Sequence, residues 1–366
     1  MHAMADSTSW SWSLHGNINF LYNNQRTKRG DTELNVIDWE MLMATRGGLA
    51  LRAMTSLEPF FLGGDGYPEL LQTGGSYRHA YIHDRQHPHD AIVELSARYD
   101  VGPAFLYLAP VGEPAAGPTS YMHRPSAERD PFAPLGHHWQ DASHGSFGVV
   151  SAGLHAYGLT LEGSTFNARE ADEGHLIADF RGARLDSYGS RLTWKPAQRL
   201  SIATWYAYLG SHDRLDPDTR MHRYGGSLEH TMSLDSVRRW SSSVIYGMNL
   251  HHHTGASHAV LHGGPNASPH HHASSVLAES SVDVTRDLTI FGRAERVMKN
   301  GEELGFLGGD LTEQYEIRSL SLGAVRRVYG RLSLGARGAV TFVPEELRAT
   351  YGTRSPSGFA LYLQVR

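Results

Sequence analysis

Residues 9–23 read SWSWSLHGNINFLYN, and Trp10, Trp12, Leu14, Ile18, Phe20 and Tyr22 all fall on even positions, with Ser11, Ser13, His15, Asn17 and Asn19 between them. A strand turns successive side chains to opposite faces, so this spelling puts an apolar face and a polar face on one extended segment. The pattern recurs along the chain. Ile37, Trp39, Met41 and Met43 alternate, as do Ala91, Val93, Leu95, Ala97 and Tyr99; Leu332, Leu334, Ala336, Val340 and Phe342; and Phe359, Leu361, Leu363 and Val365.

Read outward from these anchors, strands are predicted at 9–23, 34–45, 48–58, 90–100, 103–110, 145–156, 158–168, 184–195, 199–210, 219–231, 237–249, 274–284, 287–298, 314–326, 331–343 and 358–366. Each has about the 9 to 11 residues, or a few more, that a tilted strand needs to cross a bilayer. Short connections recur at Gly47-Gly48, Val101-Gly102, Tyr157-Gly158, Pro196 to Gln198, Asp235-Ser236, Thr285-Arg286 and Tyr329-Gly330, and long ones fill the gaps between. Short turns at one end and long loops at the other are the habit of bacterial outer-membrane barrels. A soluble sandwich or propeller is the competing reading, but propeller blades would repeat every ~40 to 50 residues, and no such repeat occurs. The expected fold is all-β: a transmembrane, antiparallel, up-and-down barrel of about sixteen strands, with short periplasmic turns and long extracellular loops. It forms one domain over 1–366, with long loops at 59–89, 111–144, 169–183, 250–273, 299–313 and 344–357.

Composition fits this reading. A chain of 366 residues is long for a single soluble core, whereas a barrel grows without enlarging one. No run approaches about 18 apolar residues, so a membrane helix is excluded. The absence of cysteine removes disulfides, thiolate metal sites and thiol nucleophiles. A net charge of -5 offers no basic field for nucleic acid. The opening MHAMADSTSW lacks a basic segment followed by an apolar one, so a secretory signal is expected to have been removed or replaced.

If the apolar phase faces lipid, the other phase lines the lumen with Asp38, Glu40, Arg52, Glu94, Arg98, Arg191, Arg293, Glu295 and Arg337. Arg or Lys at the lipid midplane would cost about 2 to 4 kcal/mol each, which turns such groups inward. They either line a polar path or pair across the wall.

The loops carry most of the 23 histidines. RHAYIHDRQHPHD at 78–90 holds His83, His87 and His89; the segment 122–144 holds His123, His137, His138 and His144; HHHTGASHAVLHGGPNASPHHH spans 251–272. Neutral imidazole suits Cu, Ni or Zn ions, with Met122 as an added donor for Cu(I). The first two clusters are dense in Pro, Asp, Arg and Trp and read as ordered loops that enter or cap the lumen. Their histidines suit either metal or hydrogen bonds that lock the loops in place. The third cluster is of low complexity and reads as a surface tip, with or without loosely held metal. Catalysis is not expected: Ser143, His144 and Ser146 lie too close in sequence for a nucleophile and its base, and no G-x-S-x-G elbow occurs.

GYPELLQTGGSYRHAYIHDRQHPHD (66–90), the segment 110–150, FNAREADE (166–173) and LDSYGSRL (185–192) resemble a largely uncharacterised family of bacterial outer-membrane proteins. The likeness is strongest over about 36–210. It implies a porin-like β-barrel with His-rich loops and, through some members, a link with heavy-metal or copper handling. It implies no catalytic or ligand residues. The chain ends LQVR where a terminal aromatic would be expected, leaving Phe359 and Tyr362 as the nearest substitutes.

Together these features predict a porin-like channel in the bacterial outer membrane for small polar solutes or metal ions. The alternative is a non-conducting barrel that anchors a surface or envelope assembly. Outer-membrane lipid is a partner on both readings, and an envelope protein or further copies of the chain remain open.

Overall fold

A computed structural model describes residues 9–168, 184–210, 215, 219–253, 270–306 and 313–366, with the side chains of Ala142, His144, His253, His270 and His271 outside the described set. The strands are β1 (Ser11–Arg26), β2 (Thr32–Arg46), β3 (Leu49–Thr55), β4 (Tyr67–Tyr77), β5 (Ala80–Gln86), β6 (Ile92–Val101), β7 (Ala104–Gly112), β8 (Ser146–Ala156), β9 (Leu159–Asn167), β10 (Ser187–Ala197), β11 (Leu200–Leu209), β12 (Thr219–Ser233), β13 (Arg239–His253), β14 (His270–Asp283), β15 (Leu288–Asn300), β16 (Gln314–Tyr329), β17 (Leu332–Phe342) and β18 (Ser357–Val365). Sixteen of them form a closed antiparallel barrel, and β4 pairs only with β5. Closure is made by β1 against β18, from Ile18 opposite Val365 to Arg26 opposite Ser357. Closing the sheet leaves no edge with unpaired backbone groups. Some turns are two residues long: Tyr157 and Gly158 both take positive φ, 52° and 78°, the twist that a tight hairpin between right-twisted strands requires.

The alternation in β1 holds. Trp12 and Leu14 stand out from the wall at 63% and 67% exposure, while Asn17, Asn19 and Asn23 are buried on the inner phase. The same outward phase shows Leu106, Leu154, Leu192, Trp194, Leu320, Leu322, Leu334 and Leu361. An exposed apolar band on this scale marks a surface that meets a membrane or a partner.

β2 runs in the opposite phase to the one expected. Ile37, Trp39, Met41 and Met43 lie opposite Asn19, Asn17, His15 and Ser13 of β1, on the inward side. Asp38 and Glu40 lie opposite Ile18 and Gly16, on the outward phase. The alternation was read with water on one side and lipid on the other, but β2 meets an apolar surface inside the barrel: Met41 packs with Met54, Tyr121 and Met122. Asp38 sits at the slit beyond the end of β3, where its carboxylate accepts the Leu57 N–H at 2.8 Å and Glu58 accepts the Asp38 N–H at 3.3 Å.

Two of the expected loops are not surface connections. Segment 59–89 contains the β4-β5 hairpin, and β3 pairs directly with β6, so this hairpin has left the wall. Tyr67 through Thr73 are all buried. Segment 113–145 has little regular structure yet is buried along most of its length, with Trp139, Arg124 and Phe132 among the largest fully buried side chains. A buried loop must find partners for its polar groups. Here they come from the inner wall. Tyr67 and Phe132 meet edge to face at 5.8 Å and pack with Leu21, Ile37, Phe291 and Tyr362 of strands around the ring. Leu70, Leu71, Leu135 and Trp139 pack against Val297, Tyr315 and Ile317.

Candidate functional site

The site is the barrel interior where segment 113–145 meets the wall. Ala115 N–H donates to Ser164 of β9 (2.7 Å), and Arg191 of β10 donates to the Gly117 carbonyl (2.9 Å). Ser126 meets Ser243 of β13, Gly136 N–H donates to Glu295 of β15, and Tyr362 of β18 donates to the Arg129 carbonyl. Asn17 of β1 donates to the Glu128 carbonyl at 3.4 Å. A segment tied to strands on all sides of a ring crosses its lumen.

A chain of ion pairs runs through this crossing. Arg337 meets Asp130 at 3.0 Å; Asp130 meets Arg293 at 3.6 Å; Arg293 meets Glu279 at 3.1 Å; Glu279 meets Arg124 at 2.7 Å; and Arg124 meets Asp141 at 2.8 Å, whose other oxygen is hydrogen-bonded to His137 Nδ1 at 2.6 Å. Alternating charge is what lets so many ionised groups stay buried, since each would be costly alone.

Of the residues expected to line the lumen, Arg293, Glu295 and Arg337 hold the crossing segment, and Arg191 binds Glu113 and Glu162 at 3.3 and 2.9 Å. Arg52 and Glu94 face each other at 3.9 Å. Arg98 stacks on Phe105 and pairs with Asp100 at 2.8 Å. By register Asp38 and Glu40 fall on the other phase, although Asp38, at the slit, also borders a cleft beside the segment. The sequence reading missed Glu279, Arg223 and Lys299 on the wall and Arg124, Glu128 and Asp130 in the segment. Glu279 and Arg223 sit within alternating strands and carried a usable signal; the segment residues carried none.

The seven expected metal-binding histidines separate. His83 Nδ1 contacts the Glu303 carbonyl at 2.9 Å, and burial lowers its pKa. His89 Nδ1 contacts Glu58 at 3.0 Å; burial opposes its charge, but the Glu58 carboxylate outweighs that and raises its pKa. His123 meets Trp39 edge to face at 5.0 Å, and burial, followed by the Arg52 charge, pushes it down to about 4. His144 lies in the 3-10 turn Ala142–Gly145, its side chain outside the described residues. Most of the third cluster lies outside them too. His87, His137 and His138 come together, with one possible donor atom from each within 4.8 Å of the others. Met122 lies elsewhere, in the methionine cluster against β2. Ser146 donates its hydroxyl proton to the Ser143 carbonyl at 2.8 Å.

Beside the segment lie two small clefts. One is bordered by Asn17, Asp38, Glu58, His89 and Glu128, the other by Glu69, Glu295, Ser319 and Arg337.

Among solved structures the chain is similar to an anion-selective porin from Comamonas acidovorans, with 12% identity and a TM-score of 0.57 over 98% of this chain and 99% of that one. The fold is that of the outer-membrane porins. OmpF of Salmonella typhi, solved with daunomycin, aligns at 9% identity and a TM-score of 0.55 over 97% of both chains. OmpT of Vibrio cholerae in its trimer form aligns at 8% identity and a TM-score of 0.54 over 97% of this chain and 99% of that one. No protein-family model matches the sequence, and no curated protein matches it. At such identities the likeness extends to the porin fold and no further.

Proposed function

We propose that this chain resides in the bacterial outer membrane as a porin-like barrel and passes small polar solutes or metal ions through a lumen narrowed by segment 113–145 and the β4-β5 hairpin. The outward apolar band supports the membrane, because Leu, Val and Trp side chains on the outer phase lose their hydration cost only against hydrocarbon. Both ends of the barrel chain lie at the short-turn rim, since Ser11 pairs with Thr45 and Val365 with Leu332. That rim faces the periplasm and the long loops face outward. The observation that carries the restriction to small solutes is the crossing segment, bonded to strands all round the ring. Polar wall groups there replace part of a solute's hydration shell.

The ion pairs and apolar clusters that fill the interior favour a second reading, a sealed barrel that anchors an envelope assembly. Conductance in planar bilayers separates the two. Wild type is compared with a variant in which residues 115–141 are replaced by a short Gly-Ser linker. The channel reading expects current from both, at least about tenfold smaller in wild type because the segment narrows the path. Current from the variant alone supports the sealed barrel, and equal current from both would remove the segment as the constriction.

A further inference from the structure

We propose that His87, His137 and His138 form a transition-metal site where the crossing segment meets the β4-β5 hairpin, binding one Zn(II), Cu(II) or Ni(II) ion through three imidazole nitrogens with a position left for an exogenous ligand.

Three separate features point to it. First, hydrogen bonds fix the tautomer of two of the rings. His137 Nδ1 donates to Asp141 Oδ1 at 2.6 Å and His87 Nδ1 donates to the Pro88 carbonyl at 3.1 Å, so in the neutral rings Nε2 is the acceptor atom. A carboxylate behind a ligating imidazole fixes its tautomer and orientation and raises its basicity. Asp141 is itself held still, its other oxygen taking Arg124 and the Tyr121 N–H, both at 2.8 Å. Second, His138 Nε2 is buried with no hydrogen-bond partner among the described residues. A buried polar atom without a partner calls for an explanation, and a missing ion is one. Third, the backbone makes room for the rings. Gly74 has φ +112° and a Cβ there would lie 2.3 Å from the His138 ring; Gly75 has φ +82°, with a Cβ 3.2 Å from His87.

The geometry needs a small adjustment. Metal–nitrogen bonds of about 2.0 to 2.1 Å in a tetrahedral shell put donors about 3.3 Å apart, whereas these lie within 4.8 Å. With His137 held by Asp141, small side-chain rotations of His87 and His138 would close that gap while the backbone stays fixed: the His138 carbonyl accepts from Arg223 at 2.8 Å and from Asn249 at 3.0 Å. Arg223 and Lys299 oppose a cation here. Asp141 favours one, and the two basic groups favour an anion in the open position. Nitrogen-only donors with no thiolate select borderline ions of this group over Mg or Ca.

The test uses the full chain in detergent, stripped with chelator and titrated with each metal by calorimetry, with Cu(II) electron paramagnetic resonance as the second readout. Wild type is expected to bind one ion per chain above any weak surface binding, with nitrogen hyperfine structure. His87→Ala and His138→Ala should lose this site, Asp141→Asn should weaken it about 10- to 100-fold, and His83→Ala should leave it unchanged. Gly74→Ala removes no donor, yet should abolish the site by displacing the His138 ring. Should His138→Ala fail to form a barrel by circular dichroism, His87→Ala and Gly74→Ala carry the test. The proposal is overturned if the His87/His137/His138 triple-alanine protein, or His87→Ala with Gly74→Ala, titrates like wild type, or if folded wild type takes up no ion. Binding is read without current, so its failure leaves the channel reading standing, and an absence of current leaves the site standing.

Discussion

Glu279 shows how much one side chain does inside this barrel. Its carboxylate is shared by Arg124 at 2.7 Å and Arg293 at 3.1 Å, and Ser126 donates to it at 2.9 Å. Glu279→Ala leaves Arg124 only Asp141 and Arg293 only Asp130 as ion-pair partners among the described residues, and breaking a buried pair costs about 3 to 5 kcal/mol. The loss should appear as faster hydrogen exchange in residues 119–141, and exchange unchanged from wild type would mean the ion-pair chain does not hold the segment. Glu69 makes a pH-dependent counterpart. It is buried in β4, where burial pushes its pKa up to about 8 against the pull of Arg337 and Arg293. An acid whose folded pKa lies above its unfolded value, about 4.3, stabilises fully below the unfolded value and loses that contribution as pH rises through the folded one. Exchange protection of the β4-β5 hairpin is therefore expected to fall between about pH 4 and pH 8. Glu69→Gln, neutral throughout, should flatten the profile, and an identical fall in both proteins would count against this account.

Strand phase is settled by what each face touches. In β16, Leu320 is 51% exposed on the outer surface, while Ser319 is buried. Leu320→Arg should cost about 2 to 4 kcal/mol if the residue lies at the bilayer midplane, measured as a lower denaturant midpoint in lipid vesicles, with a much smaller shift in detergent. Equal shifts in the two would argue against lipid contact. β2 is the informative exception. Leu42 is 43% exposed and Met41 4%, so Met41→Asp should loosen the packing around Tyr121 and Met122, whereas Leu42→Asp should act through the membrane face. The alternation of Ile37, Trp39, Met41 and Met43 was legible, but its direction was not, because both surroundings of this strand are apolar. The β4-β5 hairpin left a fainter trace still. Its register shifts between Pro68 and Ser76, Leu71 takes a φ of 65°, and Gly74 and Gly75 follow with positive values, which breaks the period-two pattern.

For the molecule as a whole, wall and filling separate. The ladder from β1 round to β18 is complete without segment 113–145, so replacing residues 115–141 with a linker should leave the β-type circular dichroism intact while lowering stability. Loss of the barrel on that replacement would show that the filling is part of the folding unit. The spacing of apolar residues determined the wall by itself: sixteen strands, short turns at one rim and the inward setting of Arg191, Arg293, Glu295 and Arg337 all follow from a local alternation between two surroundings, which neighbouring residues are enough to spell. The density of Pro, Asp, Arg and Trp in the two long segments pointed to ordered loops that enter or cap the lumen, but tertiary structure alone decided which strands they meet there, that Ile37 and Met41 face them, and that His87 joins His137 and His138 while His83, His89 and His123 go elsewhere. Those outcomes depend on which distant segments meet inside a closed ring, and a loop without periodicity carries no local mark of the wall it will touch.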